Sequence, residues 1–115
     1  MKREEWIFQC RAVNALRLAK FLVFAVPNGG SRNIREAANL KRSGVLAGAP
    51  DLVVAKDGQV WFLEIKTQTG RQSPAQKEFQ AVCESEGLVY LVISDFAGLE
   101  KFINDNKKIK IGGTI

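Results

Sequence analysis

Short unbroken apolar runs alternate along this chain with longer stretches in which apolar and charged residues mix, and glycine or proline separates most of them. Lys2 to Lys20 has neither breaker, consists of helix formers, and opens on Glu4 and Glu5, where negative charge favours a helix N-terminus, so a helix is predicted there. Phe21 to Val26 is an apolar run rich in aromatic and β-branched residues, ended by Pro27-Asn28-Gly29-Gly30, and reads as a buried strand before a tight loop. Ile34 to Ser43 reads as a short basic helix stopped by Gly44. Asp51 to Ala55 and Gln59 to Thr67 are two strands about Lys56-Asp57-Gly58-Gln59, a strong hairpin signal. Ser73-Pro74-Ala75-Gln76 is a capping box opening a helix to about Glu86, where Gly87 stops it. Leu88 to Ile93 reads as a buried strand, Asp95 caps a last helix to about Asn106, and the tail alternates Ile109-Lys110-Ile111 before Gly112-Gly113. The order αβαββαβα predicts an α/β fold, a mixed β-sheet flanked by helices.

The hairpin fixes more than its own turn. With Asp57-Gly58 as the loop, Lys56 pairs with Gln59, Ala55 with Val60, Val53 with Phe62, and Asp51 falls opposite Glu64. Two carboxylates then share one sheet face with Cβ atoms roughly 5 Å apart, an arrangement that repels unless something neutralises it. The period of two adds Lys66 to that face and sends Trp61, Leu63 and Ile65 to the other. Paired acidic oxygens suit a hard divalent cation such as Mg²⁺ or Mn²⁺, and a lysine beside them can orient a water or stabilise a phosphoryl transition state. That is equipment for phosphodiester hydrolysis. The plainer alternative has Asp51 capping a turn while Glu64 and Lys66 form a solvated pair on an exposed face.

Composition narrows the chemistry further. The 115 residues, 12.7 kDa, fit one domain spanning 1–115, and 46% apolar with 25% charged residues is a globular balance. With 17 Lys and Arg against 12 Asp and Glu the net charge is +5, which favours a polyanionic partner. The absence of histidine excludes serine triads, histidine-dependent nucleases and imidazole-ligated zinc, so carboxylates, lysine and water must do the work. Cys10 and Cys83 form no CxxC and read as reduced, buried thiols. No long apolar stretch or signal-peptide core is present, so no membrane partner and a cytoplasmic location are expected.

Pro50-Asp51, twelve residues, then Glu64-Ile65-Lys66 resembles the signature of the PD-(D/E)XK nucleases. The surrounding string resembles their VRR-NUC branch more narrowly: Asn28-Gly29-Gly30, Leu40-Lys41-Arg42-Ser43-Gly44, Gly48-Ala49-Pro50-Asp51-Leu52, Glu64-Ile65-Lys66-Thr67, and Gly70-Arg71-Gln72-Ser73-Pro74-Ala75-Gln76. The likeness runs from the first helix to about Ile93. It implies a restriction-endonuclease-like core and a metal-dependent DNA nuclease using Mg²⁺ or Mn²⁺. Small stand-alone phage and bacterial members of the branch are similar to Holliday junction resolvases and act as dimers, and a large eukaryotic relative is a Fanconi-associated repair nuclease. The resemblance makes Asp51 and Glu64 metal ligands, Lys66 the catalytic lysine, and Ile65 a ligand through its backbone carbonyl. It also asks for an acidic residue on the first helix near the metal, for which Glu5 is chosen as a further metal residue and Glu4 is the fallback; the other reading of Glu5 is a carboxylate serving the helix dipole. Gln9 shares a helix face with Glu5, and Gln76 matches a polar position after the motif that the capping box also explains.

Positive charge is concentrated before the site: residues 2–20 carry five basic against two acidic residues, and 32–42 carry four against one. Arg32, Arg35, Lys41 and Arg42, with Arg71 after the motif, are candidate phosphate contacts that would hold DNA without reading its sequence. Gly29-Gly30-Ser31 offers backbone N–H groups to a phosphate or simply turns. One small domain holds one active site, whereas a four-way junction needs two symmetric cuts, which a homodimer supplies, with Ile109 and Ile111 as candidate interface residues. The expected partners are branched DNA, a second copy, and a helicase or repair protein that delivers substrate. The rival functions are a non-catalytic DNA-binding module of the same fold and a sequence-specific restriction-like nuclease.

Overall fold

The computed structural model describes residues 2–27 and 33–107 of the chain. Its elements follow the expected order: α1 (Arg3–Leu18), β1 (Leu22–Ala25), α2 (Ile34–Arg42), β2 (Leu52–Lys56), β3 (Gln59–Ile65), α3 (Pro74–Ser85), β4 (Val89–Ile93) and α4 (Phe96–Asn106). Asn28 to Arg32, and the tail with Ile109 and Ile111, lie outside the described residues.

The four strands lie in the order β1-β2-β3-β4, the first two pairings antiparallel and the last parallel. The hairpin register is the expected one, with Lys56 opposite Gln59 and Val53 opposite Phe62. Asp57 at φ 53° and Gly58 at φ 82° both take the left-handed conformation that a two-residue turn of type I′ requires. One sheet face carries Val23, Leu52, Val54, Trp61, Leu63 and Ile65, which pack with Ala12 and Leu16 of α1 and Leu99 and Phe102 of α4 into the main core. Its aromatic centre is an edge-on stack of Trp61 on Phe102 at 5.1 Å, with Phe21 beside both. The opposite face meets α3 through Phe62, Phe79 and Tyr90.

Two expectations require correction. The apolar runs at Phe21–Val26 and Leu88–Ile93 are the edges of the sheet and are not buried on both faces: Leu22 and Phe24 are exposed, and in β4 only Tyr90 and Ile93 are buried. Unbroken apolar sequence marks a strand covered on both sides only when helices reach that far across the sheet, and α3 meets it at Phe62 and Tyr90, leaving β1 and Val92 of β4 open on that face. Cys10 is exposed, while Cys83 is buried as expected, and burial pushes its thiol pKa up.

Side chains cap the starts of α2, α3 and α4, and the sequence identifies the last two of these caps. Ser73 and Gln76 form the complete reciprocal capping box of α3, and Asn33 and Asp95 accept the N–H groups of Glu36 and Gly98 at 2.7 and 2.8 Å. The segment into β2 turns at Gly48, where φ is 84° and a Cβ would come within 2.3 Å of the Ala75 carbonyl oxygen and 2.9 Å of the Gln76 nitrogen. Both obstacles are backbone, so Gly48 ties the start of β2 to the start of α3. Gly48→Ala is expected to cost about 3 kcal/mol and lower Tm by at least ~10 °C in thermal denaturation followed by circular dichroism.

Candidate active site

At one end of the sheet β1, β3 and β4 finish, β2 begins, and α1 starts nearby. Val26 donates its N–H to the Asp51 carbonyl at 2.9 Å, which continues the β1–β2 ladder past the last strand residue. Asp51 therefore enters this end of the sheet with a fixed backbone, and its Oδ2 accepts the Ile65 N–H at 2.6 Å across the hairpin. That bond holds the Asp51 side chain beside Glu64.

Glu64 is fully buried, at 0% exposure. An ionised carboxylate survives there only with compensation, and its two oxygens are treated unequally. Oε1 accepts from the Tyr90 hydroxyl at 2.5 Å and from the Gln72 amide at 3.0 Å. Oε2 has no hydrogen-bond partner among the described residues; Lys66 Nζ is its nearby cation at 3.8 Å, beyond hydrogen-bonding range. The solvated-pair alternative for Glu64 and Lys66 is thereby overturned, since their side chains are only 1% and 15% exposed.

Burial raises the pKa of Asp51, and the charges of Glu64 and Glu5 raise it further, against the lowering effects of the Ile65 N–H and Lys66. Glu5 thus acts electrostatically on Asp51. It is itself buried, and its Oε2 lies 3.3 Å from where a Cβ at Gly70 would stand, so the loop after β3 closes over it. Gln9, one turn further along α1, has a buried Oε1 with no hydrogen-bond partner among the described residues. Glu4 is exposed.

Asp51, Glu64 and Lys66 are therefore gathered, with Ile65 tied to Asp51 through its N–H, while Glu5 acts on Asp51 electrostatically without joining the two carboxylates in a metal-holding group. Gln76 Oε1 accepts the Ser73 N–H at 2.8 Å in the α3 cap, the role that the capping box predicts for it. Arg35, Lys41 and Arg42 lie on α2, a helix with no buried residue that packs closely on no other described element. Arg71 is exposed in the loop that delivers Gln72 to Glu64, and Arg32 lies outside the described residues.

Three residues were missed from sequence: Gln72, Gln80 and Tyr90. Gln72 donates to Gln80 Oε1 at 2.8 Å as well as to Glu64, and Gln80 donates onward to Glu84 at 3.1 Å. Tyr90 carried the one available signal, a phenol within an apolar strand, since a buried tyrosine hydroxyl needs a partner.

The oxygen donors fit a small hard cation. Glu64 Oε2 is a buried anionic oxygen without a hydrogen bond, Asp51 lies beside it, and no nitrogen or sulfur ligand competes. Among the described residues no three acidic or cysteine side chains form a ready-made cage. That is compatible with Mg²⁺ or Mn²⁺, which take one or two carboxylates and keep several waters.

Among the solved structures that share this fold are two VRR_NUC domain proteins. One, a "VRR_NUC domain", superposes with a TM-score of 0.67 over 91% of this chain and 99% of its own at 22% sequence identity. The other, a "VRR_NUC domain protein", is 30% identical and covers 72% of this chain and 65% of its own, with a TM-score of 0.57. No family model matches the sequence, and no curated protein matches it. No helix among the described residues is long and apolar enough to cross a membrane.

Proposed function

From the premise that this chain is a nuclease-family domain with the restriction-endonuclease-like fold of the VRR-NUC family, we propose that it is a Mg²⁺- or Mn²⁺-dependent endonuclease cutting branched DNA as a homodimer. The observation that carries the reading is the buried Glu64 carboxylate, whose Oε2 has no hydrogen bond and faces Lys66 beside Asp51. A structural ion pair gains nothing from leaving a buried anionic oxygen short of donors.

In this account Asp51, Glu64 and the Ile65 carbonyl hold the metal, with Glu5 and Gln9 bounding the site. The metal supplies charge neutralisation at the phosphoryl oxygens and a lowered pKa for water. Lys66 holds a proton-donating ammonium against the scissile phosphate, where negative charge grows during attack. Tyr90, its pKa raised by burial and by the adjacent Glu64, stays a neutral donor throughout the physiological range.

The exposed cations of α2 and Arg71 supply phosphate contacts. Arg35→Ala, Lys41→Ala and Arg42→Ala are each expected to weaken binding equally on unrelated duplexes and to reduce the slope of log K against log[salt] by about 1. Fluorescence-anisotropy titrations at several salt concentrations read both quantities. Leu22 and Phe24 leave exposed apolar surface on the β1 side of the sheet, which α3 does not reach, and this favours a second copy.

The test is a panel of labelled duplex, flap, fork and four-way junction with Mg²⁺, alongside sedimentation equilibrium at micromolar protein. Preferential junction cutting by a dimer supports the full reading. Equal cutting of all forms by a monomer, or cutting confined to one sequence, removes the structure-specific part of it.

A further inference from the structure

The hydrogen bonds that hold the Glu64 carboxylate are all on one side. Tyr90 reaches it from β4, whose parallel register with β3 pairs Phe62 with Tyr90 and Glu64 with Val92 and so sets the phenol on the Glu64 face. Gln72 reaches it from the loop before α3. Both donors go to Oε1, and neither goes to Oε2.

The orientation of the glutamines is determined. The chain Glu64, Gln72, Gln80, Glu84 ends in carboxylates, which when ionised only accept hydrogen bonds. Glu84 takes the Gln80 amide N–H, which turns the Gln80 oxygen toward Gln72. Gln72 must then present both N–H donors, one to Gln80 and one to Glu64. A flipped Gln72 amide would set oxygen against oxygen at both contacts.

We propose that Tyr90 and Gln72 are positioning residues that engage Oε1 of Glu64, so that Oε2 alone is offered to the metal, and that this one-oxygen presentation favours Mg²⁺ and Mn²⁺ over Ca²⁺. The small octahedral ions take a carboxylate through one oxygen among several waters, whereas Ca²⁺ accepts six to eight ligands and readily takes both oxygens of one carboxylate. A carboxylate whose second oxygen already holds a phenol and an amide is a poor two-oxygen ligand. This inference rests on the metal-site reading above.

Isothermal titration calorimetry with Mn²⁺ and with Ca²⁺, in the absence of DNA, tests it on the wild type, Tyr90→Phe, Gln72→Leu and Glu64→Gln, with thermal denaturation to confirm that each is folded. Tyr90→Phe and Gln72→Leu are each expected to weaken Mn²⁺ binding about tenfold, as loss of an outer-sphere partner does, while Ca²⁺ binding holds or tightens. Mn²⁺ affinity within twofold of wild type in both variants overturns the proposal. So does an equal loss for both ions, which is the mark of a structural role only. Glu64→Gln separates this from failure of the site itself: if it binds Mn²⁺ as the wild type does, the metal-site reading is wrong, whatever Tyr90 and Gln72 do.

Discussion

Asp51→Asn is expected to abolish metal-dependent DNA cleavage while making the metal-free protein more stable. Loss of a ligand removes charge neutralisation worth several kcal/mol at the transition state, so turnover falls by at least about 10³-fold. Fold loss does not explain the fall, because the asparagine carbonyl can still accept the Ile65 N–H that Asp51 Oδ2 takes at 2.6 Å. Stability moves the other way because burial, with Glu64 and Glu5 nearby, raises the Asp51 pKa. A raised folded-state pKa means the native state favours the protonated acid. Its stabilising contribution is complete below the ordinary value of 3.8 and is lost as pH rises through the raised value. At neutral pH the ionised Asp51 therefore destabilises the metal-free fold, and a neutral asparagine relieves that strain. The variant is expected to melt above the wild type at pH 7, with the difference closing below about pH 3.8. Mn²⁺ should raise Tm in the wild type and leave the variant unmoved. Melting curves at pH 7 and pH 3.5, with and without Mn²⁺, read all of these effects.

Lys66→Ala is expected to lose turnover as well, by about 10²- to 10³-fold, the usual loss when one group stabilising transition-state charge is removed. Its stability effect has the opposite sign. Lys66 Nζ is the cation facing the buried Glu64 Oε2, and its removal leaves that charge less compensated. The cost is about 1–3 kcal/mol, below that of breaking a fully buried pair, because the 3.8 Å separation makes this a loose one. Mn²⁺ should bind at least as tightly as to the wild type, since a repelling charge has gone. Calorimetry with Mn²⁺ and single-turnover cleavage on the same preparation separate the two roles: Asp51→Asn loses binding and cutting together, while Lys66→Ala keeps the first and loses the second.

The parts of this molecule that local rules determine were legible in the sequence. The two-residue Asp57-Gly58 turn set the hairpin register, and that register alone placed Asp51 opposite Glu64 and put Lys66 on the same face. The helix caps at Asn33, Ser73 and Asp95 are as local as the turn, and the sequence pattern identified the last two. Contacts across long sequence separations were not legible. Nothing local tells that Tyr90 aligns with Phe62 in a parallel pair, so its reach to Glu64, 26 residues away, stayed hidden within an apolar run. Gln72 lay in a polar loop whose path depends on Gly48 and the start of α3. The same limit explains the two edge strands: hydrophobicity reports that a strand packs, and only the extent of the covering helices decides on how many faces. Glu5 was chosen through resemblance, and its burial against Gly70 and its influence on Asp51 depend on how α1 packs.

The central claim is that Asp51 and Glu64 hold a divalent cation with which this chain cuts DNA. Its most direct test is single-turnover cleavage of a labelled four-way junction and a matched duplex by the wild-type protein in Mn²⁺ and in EDTA, with Asp51→Asn alongside. The account predicts cutting in Mn²⁺ that EDTA abolishes and that Asp51→Asn lacks. DNA that is bound but never cut, or cutting that survives either EDTA or the substitution, would contradict it.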